Sequence, residues 1–330
     1  MSAISTPGQK HTGVTGETRL LLGVDGGGSK TTALIAELGD AGTIQILGRG
    51  AGGPSNLRLA GKEMALASLD KAVDEALVEA GLEGRFLDCA VLALAGAAYA
   101  DVRDEVNRWA RQRNLSLDVE VIHDAEPVLA SCMGGGCCIA LIVGTGSVAV
   151  GINSAGTKLT LGGWGHWFGD KGSGYDLGRQ ALSAIAEASD GIGPETVISD
   201  LVLERLEVSE PRQILRVMSA KGDLRREVAA LAPIVQAAAV MRDEVANRIV
   251  QSAIVEAAKL VSAVVKKLAF KDPYSLAVAG GVICGSQHFR DSLIGLLGKS
   301  EPLPGTVTVV DEPVMGCLDI AREKLTIPVE

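Results

Sequence analysis

Between Leu21 and Thr32 the chain reads LLGVDGGGSKTT, an apolar run followed by an acid, three glycines, a hydroxyl residue and a cation. Those types in that order suit a phosphate cradle with a metal handle. Backbone N–H groups approach phosphate oxygens closely only where no Cβ intrudes, so Gly26, Gly27, Gly28 and Ser29 can form a concave anion site, leaving Asp25 to face a cation. A second such loop, Gly144, Thr145, Gly146 and Ser147, follows the apolar run Ile139 to Val143. Neither is a Walker loop or a dinucleotide fingerprint, because both of those run into a helix, whereas Thr31 to Ile35 and Val148 to Val150 are β-type residues. Each loop therefore reads as the turn of a strand pair. Together they predict one nucleotide gripped from two sides, with magnesium ATP the expected ligand and Asp25 the partner of the metal.

The elements that must hold these loops follow from periodicity. Strands are expected at Leu20 to Val24, Ala33 to Glu37, Thr43 to Leu47, Cys89 to Leu94 and Val119 to Ile122. Helices are expected at Lys62 to Ala80, stopped by Gly81, and at Asp101 to Arg113. After a short helical stretch around Pro127 and a glycine hinge at Gly134 to Gly136, the pattern restarts. Ile139 to Val143, Ser147 to Asn153 and Thr157 to Leu161 repeat the three-strand opening about 120 residues later, followed by a helical region from Gly174 to Phe270 and a strand at Leu276 to Ala279. The duplication predicts two related α/β domains with mixed sheets flanking an interdomain nucleotide cleft. Residues 1–18 read as a flexible leader, 19–132 as the first domain and 133–313 as the second. Helix 314–326 is expected to pack back on the first domain.

Composition narrows the function classes. A formal net charge of −9 argues against nucleic acid, whose binding needs basic surface to neutralise phosphates. No apolar run reaches the length of a membrane span, and the leader lacks the apolar core of a signal peptide, so a cytoplasmic enzyme is expected. Six cysteines without a C-x-x-C pair read as reduced structural thiols. Aromatics are scarce, so a core of close helix and sheet packing is expected. Trp164 and Trp167 nonetheless fall together, as the core of their loop or as an apolar platform for a ligand.

With both cradles, the acid of VIHDAEP and the late pair Gly280 and Gly281 in order, the chain resembles the sugar kinase, actin and heat-shock ATPase superfamily. More narrowly it resembles the BadF/BadG/BcrA/BcrD ATPase family and its N-acetylglucosamine kinases. The resemblance runs from Leu20 to Arg322, and its most specific element is GGWGHWFGDKGSGYDLG, Gly162 to Gly178. It implies actin-like (ribonuclease H-like) domains and an ATP-dependent kinase acting on the 6-hydroxyl of an amino sugar, N-acetylglucosamine first. Glucosamine and N-acetylmuramic acid are the nearest rivals. It further implies that both cradles hold the β- and γ-phosphates, that Gly280 and Gly281 form the adenosine-side turn, and that Asp124 is the base. Asn56, Gly163, Trp164, Gly165, His166 and Asp170 match sugar-contacting positions. A homodimer is a family-based expectation. Two departures bear on sugar identity: Lys171 stands where the family usually reads GDEGS, and Ala95 stands where some relatives carry serine.

Each assignment has a plainer alternative. Asp124, before Glu126 and Pro127, suits a helix N-cap. Asp25, Asn56 and Asp170 suit turns beside glycine. His123 reads as packing, and Lys30 as a solvated lysine. Two other function classes share the fold, a reductase-activating ATPase with an iron–sulfur cluster and a noncatalytic sugar sensor. The first lacks its cysteine after the second cradle, since the chain has none from Gly144 until Cys284. The second lacks a basic or helix-pair DNA-binding segment.

Overall fold

The computed structural model describes residues 19–40, 42–132 and 136–326. The leader 1–18 and Gly134 and Gly135 of the glycine hinge lie outside them.

An antiparallel meander opens the chain: β1 (Arg19–Gly26), β2 (Thr31–Leu38) and β3 (Ile44–Gly52). After α1 (Leu57–Ala60) and α2 (Lys62–Ala80) come β4 (Cys89–Leu94), α3 (Ala100–Gln112) and β5 (Val119–His123), which extend the sheet in parallel. The strand order is β3-β2-β1-β4-β5. A short helix, α4 (Glu126–Ala130), leads to the second half, where β6 (Cys138–Val143), β7 (Ser147–Ile152) and β8 (Lys158–Gly162) form another antiparallel meander. The expected helical region resolves into α5 (Gly174–Ser189), α6 (Val197–Leu206), α7 (Pro211–Ser219), α8 (Leu224–Ala229), α9 (Ala232–Val240) and α10 (Glu244–Lys267). Proline starts α7, Asp223 caps α8 and Asp243 caps α10, so caps and breakers cut the region into pieces.

β9 (Tyr274–Ala279), α11 (Gly281–Cys284), α12 (Gln287–Leu297), β10 (Pro304–Val310) and α13 (Pro313–Thr326) complete the chain. The second sheet runs β10-β9-β6-β7-β8, with β9 parallel to both β6 and β10. Strand for strand, in order and in direction, it repeats the first sheet. The sequence pattern reached only the meanders and β9 of this repeat. β10 opens with proline and glycine and exposes several of its residues as an edge strand, so it carries little apolar signal.

Each sheet is covered on both faces. On the first, α2 and α3 bury Leu69, Val73, Val106 and Trp109 on one side, and α13 buries Val314, Cys317 and Leu318 on the other. Small residues bring α2 down onto β3: a Cβ on Gly50 would lie 1.9 Å from the Ala72 carbonyl oxygen. That contact also explains why β3 runs on through Gly48 to Gly52, a glycine-rich stretch outside the expected strand. On the second sheet a larger core gathers residues from α5 to α10, while α4 seals the opposite face with Val128 and Leu129. The two inner helices, α4 and α13, pack together, with Gly316 lying against the Pro127 backbone. This helix pair is thus one place where the lobes meet.

The cysteines differ from their reading as six reduced thiols. Cys132 and Cys138 form a disulfide, leaving Cys89, Cys137, Cys284 and Cys317 free. Sequence spacing alone could not bring them together, because their approach depends on α4 packing against the second sheet. Among the described residues no helix is long and apolar enough to cross a membrane.

Candidate active site

The parallel strands β1, β4 and β5 end on the same side of the first sheet, and β6 and β9 do the same in the second, so the loops at these carboxyl ends face one cleft. The first cradle is the β1–β2 turn, where the Gly27 N–H donates to the Lys30 carbonyl at 2.9 Å. Its flank is fixed by the Ser55 N–H donating to the Gly27 carbonyl at 3.0 Å and the Ala95 N–H donating to Gly26 at 2.8 Å. The second cradle is the β6–β7 turn, closed by the Gly144 N–H donating to Gly146 at 2.9 Å. Two donors at the start of α5 hold it from below, Gly174 to the Gly144 carbonyl at 2.7 Å and Tyr175 to Thr145 at 3.3 Å. Gly280, with φ +99°, braces it from the side: a Cβ there would lie 2.6 Å from the Val143 carbonyl carbon and oxygen. Gly281 starts α11 immediately afterwards. The two cradles face each other closely enough that the Ser29 and Thr145 hydroxyls share a hydrogen bond at 2.7 Å.

Two carboxylates stand at the carboxyl ends of β1 and β5 in the first sheet, Asp25 and Asp124. Burial first, and then the charge of Asp124, push Asp25 up from the usual carboxylate range to about 7, with Lys30 opposing. Asp124 follows β5, where a helix cap was the plainer alternative, but α4 starts from Ala125 and makes no side-chain cap bond. Its Oδ1 instead lies 2.9 Å from His123 Nδ1. Burial works against the charged imidazole, but the hydrogen bond and charge of Asp124, with Glu126, outweigh it and leave His123 raised above its ordinary value. That same Nδ1 lies 3.2 Å from the Ala125 backbone N. Protonated, it donates to the carboxylate; bare, it accepts from the backbone. His123 is therefore a partner of Asp124 and not the packing residue its sequence context suggested.

The remaining predicted residues occupy two places. Asn56 caps α1, its Oδ1 accepting the Arg58 N–H at 3.1 Å, while its Nδ2 makes no hydrogen bond to a described residue. It lies beside Gly96 at the end of β4. Gly163, Trp164, Gly165 and His166 form the loop after β8, pinned to the second cradle by the Gly163 N–H donating to the Ser147 carbonyl at 2.9 Å. Trp164, Trp167 and Phe168 are 75%, 82% and 86% exposed, so the tryptophan pair is not the core of this loop. His166 packs edge-on against Tyr175 and leans on Trp167, and burial, with Arg225 nearby, lowers its pKa. Asp170, buried and in the left-handed region at φ +52°, accepts the Ser147 N–H at 3.2 Å and pairs with Arg225 at 3.2 Å.

Two glycine-rich turns facing across a cleft between duplicated sheets, with carboxylates beneath, agree with the profile of the BadF/BadG/BcrA/BcrD ATPase family, which matches residues 22–295. The chain belongs to that family. ATP use follows from membership. Among curated relatives, an N-acetylmuramic acid/N-acetylglucosamine kinase of Clostridium acetobutylicum is 29% identical over 93% of this chain and 99% of its own length. An N-acetyl-D-glucosamine kinase of Dictyostelium discoideum is 26% identical over 92% and 97%. A solved ROK family glucokinase from Streptomyces griseus, in complex with glucose and AMPPNP, superposes with a TM-score of 0.59 at 19% identity over 92% of this chain and 99% of that one, which establishes a common fold.

Sequence reading missed two residues of this family member's cleft. His123 adjoins Asp124 in the chain, and a titratable neighbour was its available signal. Arg225 lies in an arginine pair on a short, polar helix, where nothing in the pattern distinguishes it from a solvated cation.

Proposed function

We propose that this chain phosphorylates the 6-hydroxyl of N-acetylglucosamine with ATP. The observation that carries the reading is two glycine turns facing each other across the Ser29–Thr145 hydrogen bond, with Asp25 and Asp124 at the carboxyl ends of the parallel strands β1 and β5, supported by curated relatives that are kinases of N-acetylated amino sugars. Phosphoryl transfer leaves a protein little covalent work, and alignment and charge neutralisation do most of it. The backbone N–H groups of Gly28, Ser29 and Thr145, on turns closed by the Gly27 and Gly144 N–H groups, bind the β- and γ-phosphates, and the Gly280–Gly281 turn receives the adenosine side. Asn56 Nδ2 and the Gly163–His166 loop orient the sugar, and Asp124 accepts the proton of the attacking hydroxyl; Asp170, buried with its oxygens on the Ser147 N–H and Arg225, serves the second cradle instead of the sugar. His123, hydrogen-bonded to Asp124, fixes that carboxylate's orientation.

The donor set fits magnesium, which binds proteins through one or two carboxylates and otherwise through phosphate and water. No cluster of three or more potential metal ligands occurs among the described residues, and Asp25 is a carboxylate whose raised pKa a nearby cation would lower. Asp25 would hold it, and the ion would supply neutralisation of phosphate charge.

The test is ADP release from magnesium ATP against N-acetylglucosamine, glucosamine, N-acetylmuramic acid, N-acetylmannosamine and glucose. N-acetylglucosamine is expected to give the highest kcat/KM, and Asp124→Asn to lower kcat about 10²- to 10⁴-fold with nucleotide binding retained. Turnover stimulated by no sugar, or Asp124→Asn indistinguishable from the parent, would refute the proposal.

A further inference from the structure

Arg225 sits in the first turn of α8, far in sequence from either cradle, yet its guanidinium lies at the seam between them. A Cβ built on Gly28 of the first cradle would be 3.0 Å from Nη1, and one built on Gly146 of the second would be 3.1 Å from Nη2. Nη2 donates to Asp170 at 3.2 Å, and Asp170 is itself held on the second cradle by the Ser147 N–H. The side chain is 16% exposed, and Nε is buried without a hydrogen-bond partner among the described residues.

A guanidinium carries five donors in a rigid fork, and leaving a buried one unpaired is unfavourable. One carboxylate contact through Nη2 leaves most of the fork unused. The unused Nη1 borders the Gly28 turn, where a phosphate can approach. A phosphoryl group presents several acceptor oxygens and matches the fork in bidentate geometry, which a lysine at the same place would not do. Asp170, whose carboxylate also lies against Gly146, holds Nη2 in place, so the cation is oriented before any nucleotide arrives.

We propose that Arg225 is a catalytic residue that clamps the γ-phosphoryl group, supplied from the second lobe across to the first cradle. The inference rests on the kinase reading for its reaction. In that reaction the bond between the γ-phosphorus and the β–γ bridging oxygen breaks, and the bridging oxygen keeps the electron pair and leaves on ADP. A new bond forms from the γ-phosphorus to the sugar hydroxyl oxygen, and the hydroxyl proton passes to Asp124. Negative charge on the equatorial oxygens is what the guanidinium stabilises throughout. Arginines in this role in other phosphoryl-transfer enzymes contribute about 10³- to 10⁵-fold in kcat.

The experiment uses the full chain with Arg225→Ala and Arg225→Lys. Isothermal titration without sugar measures AMPPNP and ADP separately, because only the first carries a γ-phosphoryl group. The expected result for Arg225→Ala is at least a tenfold greater loss of affinity for AMPPNP than for ADP, a kcat reduced about 10³-fold, an unchanged sugar KM, and partial recovery of kcat on adding guanidinium at non-denaturing concentration. Equal losses for both nucleotides, or no loss, would overturn it and leave Arg225 a structural tie to Asp170. Should Arg225→Ala fail to fold, Arg225→Lys decides, since it keeps the charge and loses the fork: kcat down at least tenfold supports the clamp, and parental kcat overturns it. If the parent phosphorylates no amino sugar, the kinase reading falls, while the AMPPNP-to-ADP ratio still decides whether Arg225 holds a γ-phosphate.

Discussion

Replacing Asp25 by Asn is expected to stabilise the metal-free protein, by an amount that grows with pH. A carboxyl that ionises near 3.8 when unfolded and at about 7 when folded opposes folding wherever the unfolded chain has released the proton and the native state has not. In that window the native state binds more protons, so stability falls as pH rises. At about 1.4 kcal/mol for each pH unit between the two values, the ceiling is about 4 kcal/mol at pH 8, of which about 1.6 kcal/mol is already present at pH 5. Water entering the cleft raises the effective dielectric, and about half the ceiling, about 2 kcal/mol at pH 8, is the expected effect. Asparagine keeps the shape and removes the charge. Thermal unfolding of parent and variant in a chelating buffer at pH 5 and pH 8 measures it, at roughly 2 to 4 °C per kcal/mol for a cooperative unit of 150–250 residues. The variant should melt higher at both values, with the wider gap at pH 8, and should lack activity. A gap that is equal at the two pH values, or that favours the parent at pH 8, would refute the argument that burial and Asp124 raise this carboxyl.

Gly280→Ala should cost about 2 to 4 kcal/mol, because its positive φ and its 2.6 Å approach to the Val143 backbone leave no room for a methyl group, and the displaced second cradle should raise the KM for ATP; unfolding and nucleotide titration read the two effects. His123→Asn should remove a stabilising contribution that is fully present below pH 6.5 and disappears as pH rises through the higher folded value, so the gap from the parent should be larger at pH 6 than at pH 8.5. Tryptophan emission should shift to the blue on adding N-acetylglucosamine and nucleotide together, because Trp164 and Trp167 are exposed while Trp109 is already buried. A Trp164→Phe/Trp167→Phe double variant should abolish the shift.

Both cradles, the meanders that carry them, the family, and the order of the central elements around Lys62–Ala80 and Cys89–Leu94 are legible in the residues alone. These are local properties: a glycine run between β-type stretches can form little besides a tight turn, and a helix bounded by Gly81 is written in its own residues. Folding in three dimensions was needed to show that the second sheet repeats the first through its edge strand β10, that Cys132 reaches Cys138, that Asp124 pairs with His123 without capping α4, and that the Trp164–Trp167 loop faces solvent. It likewise decided that Arg225 lies between two glycine turns that precede it by more than 70 residues. The edge strand and Arg225 depend on where distant elements cross, of which type and spacing carry no record, whereas the His123–Asp124 pair joins neighbours whose side-chain directions only the folded strand end sets. Exposure and charge environment are set by the lobes as they meet around α4 and α13, after local structure has already been fixed.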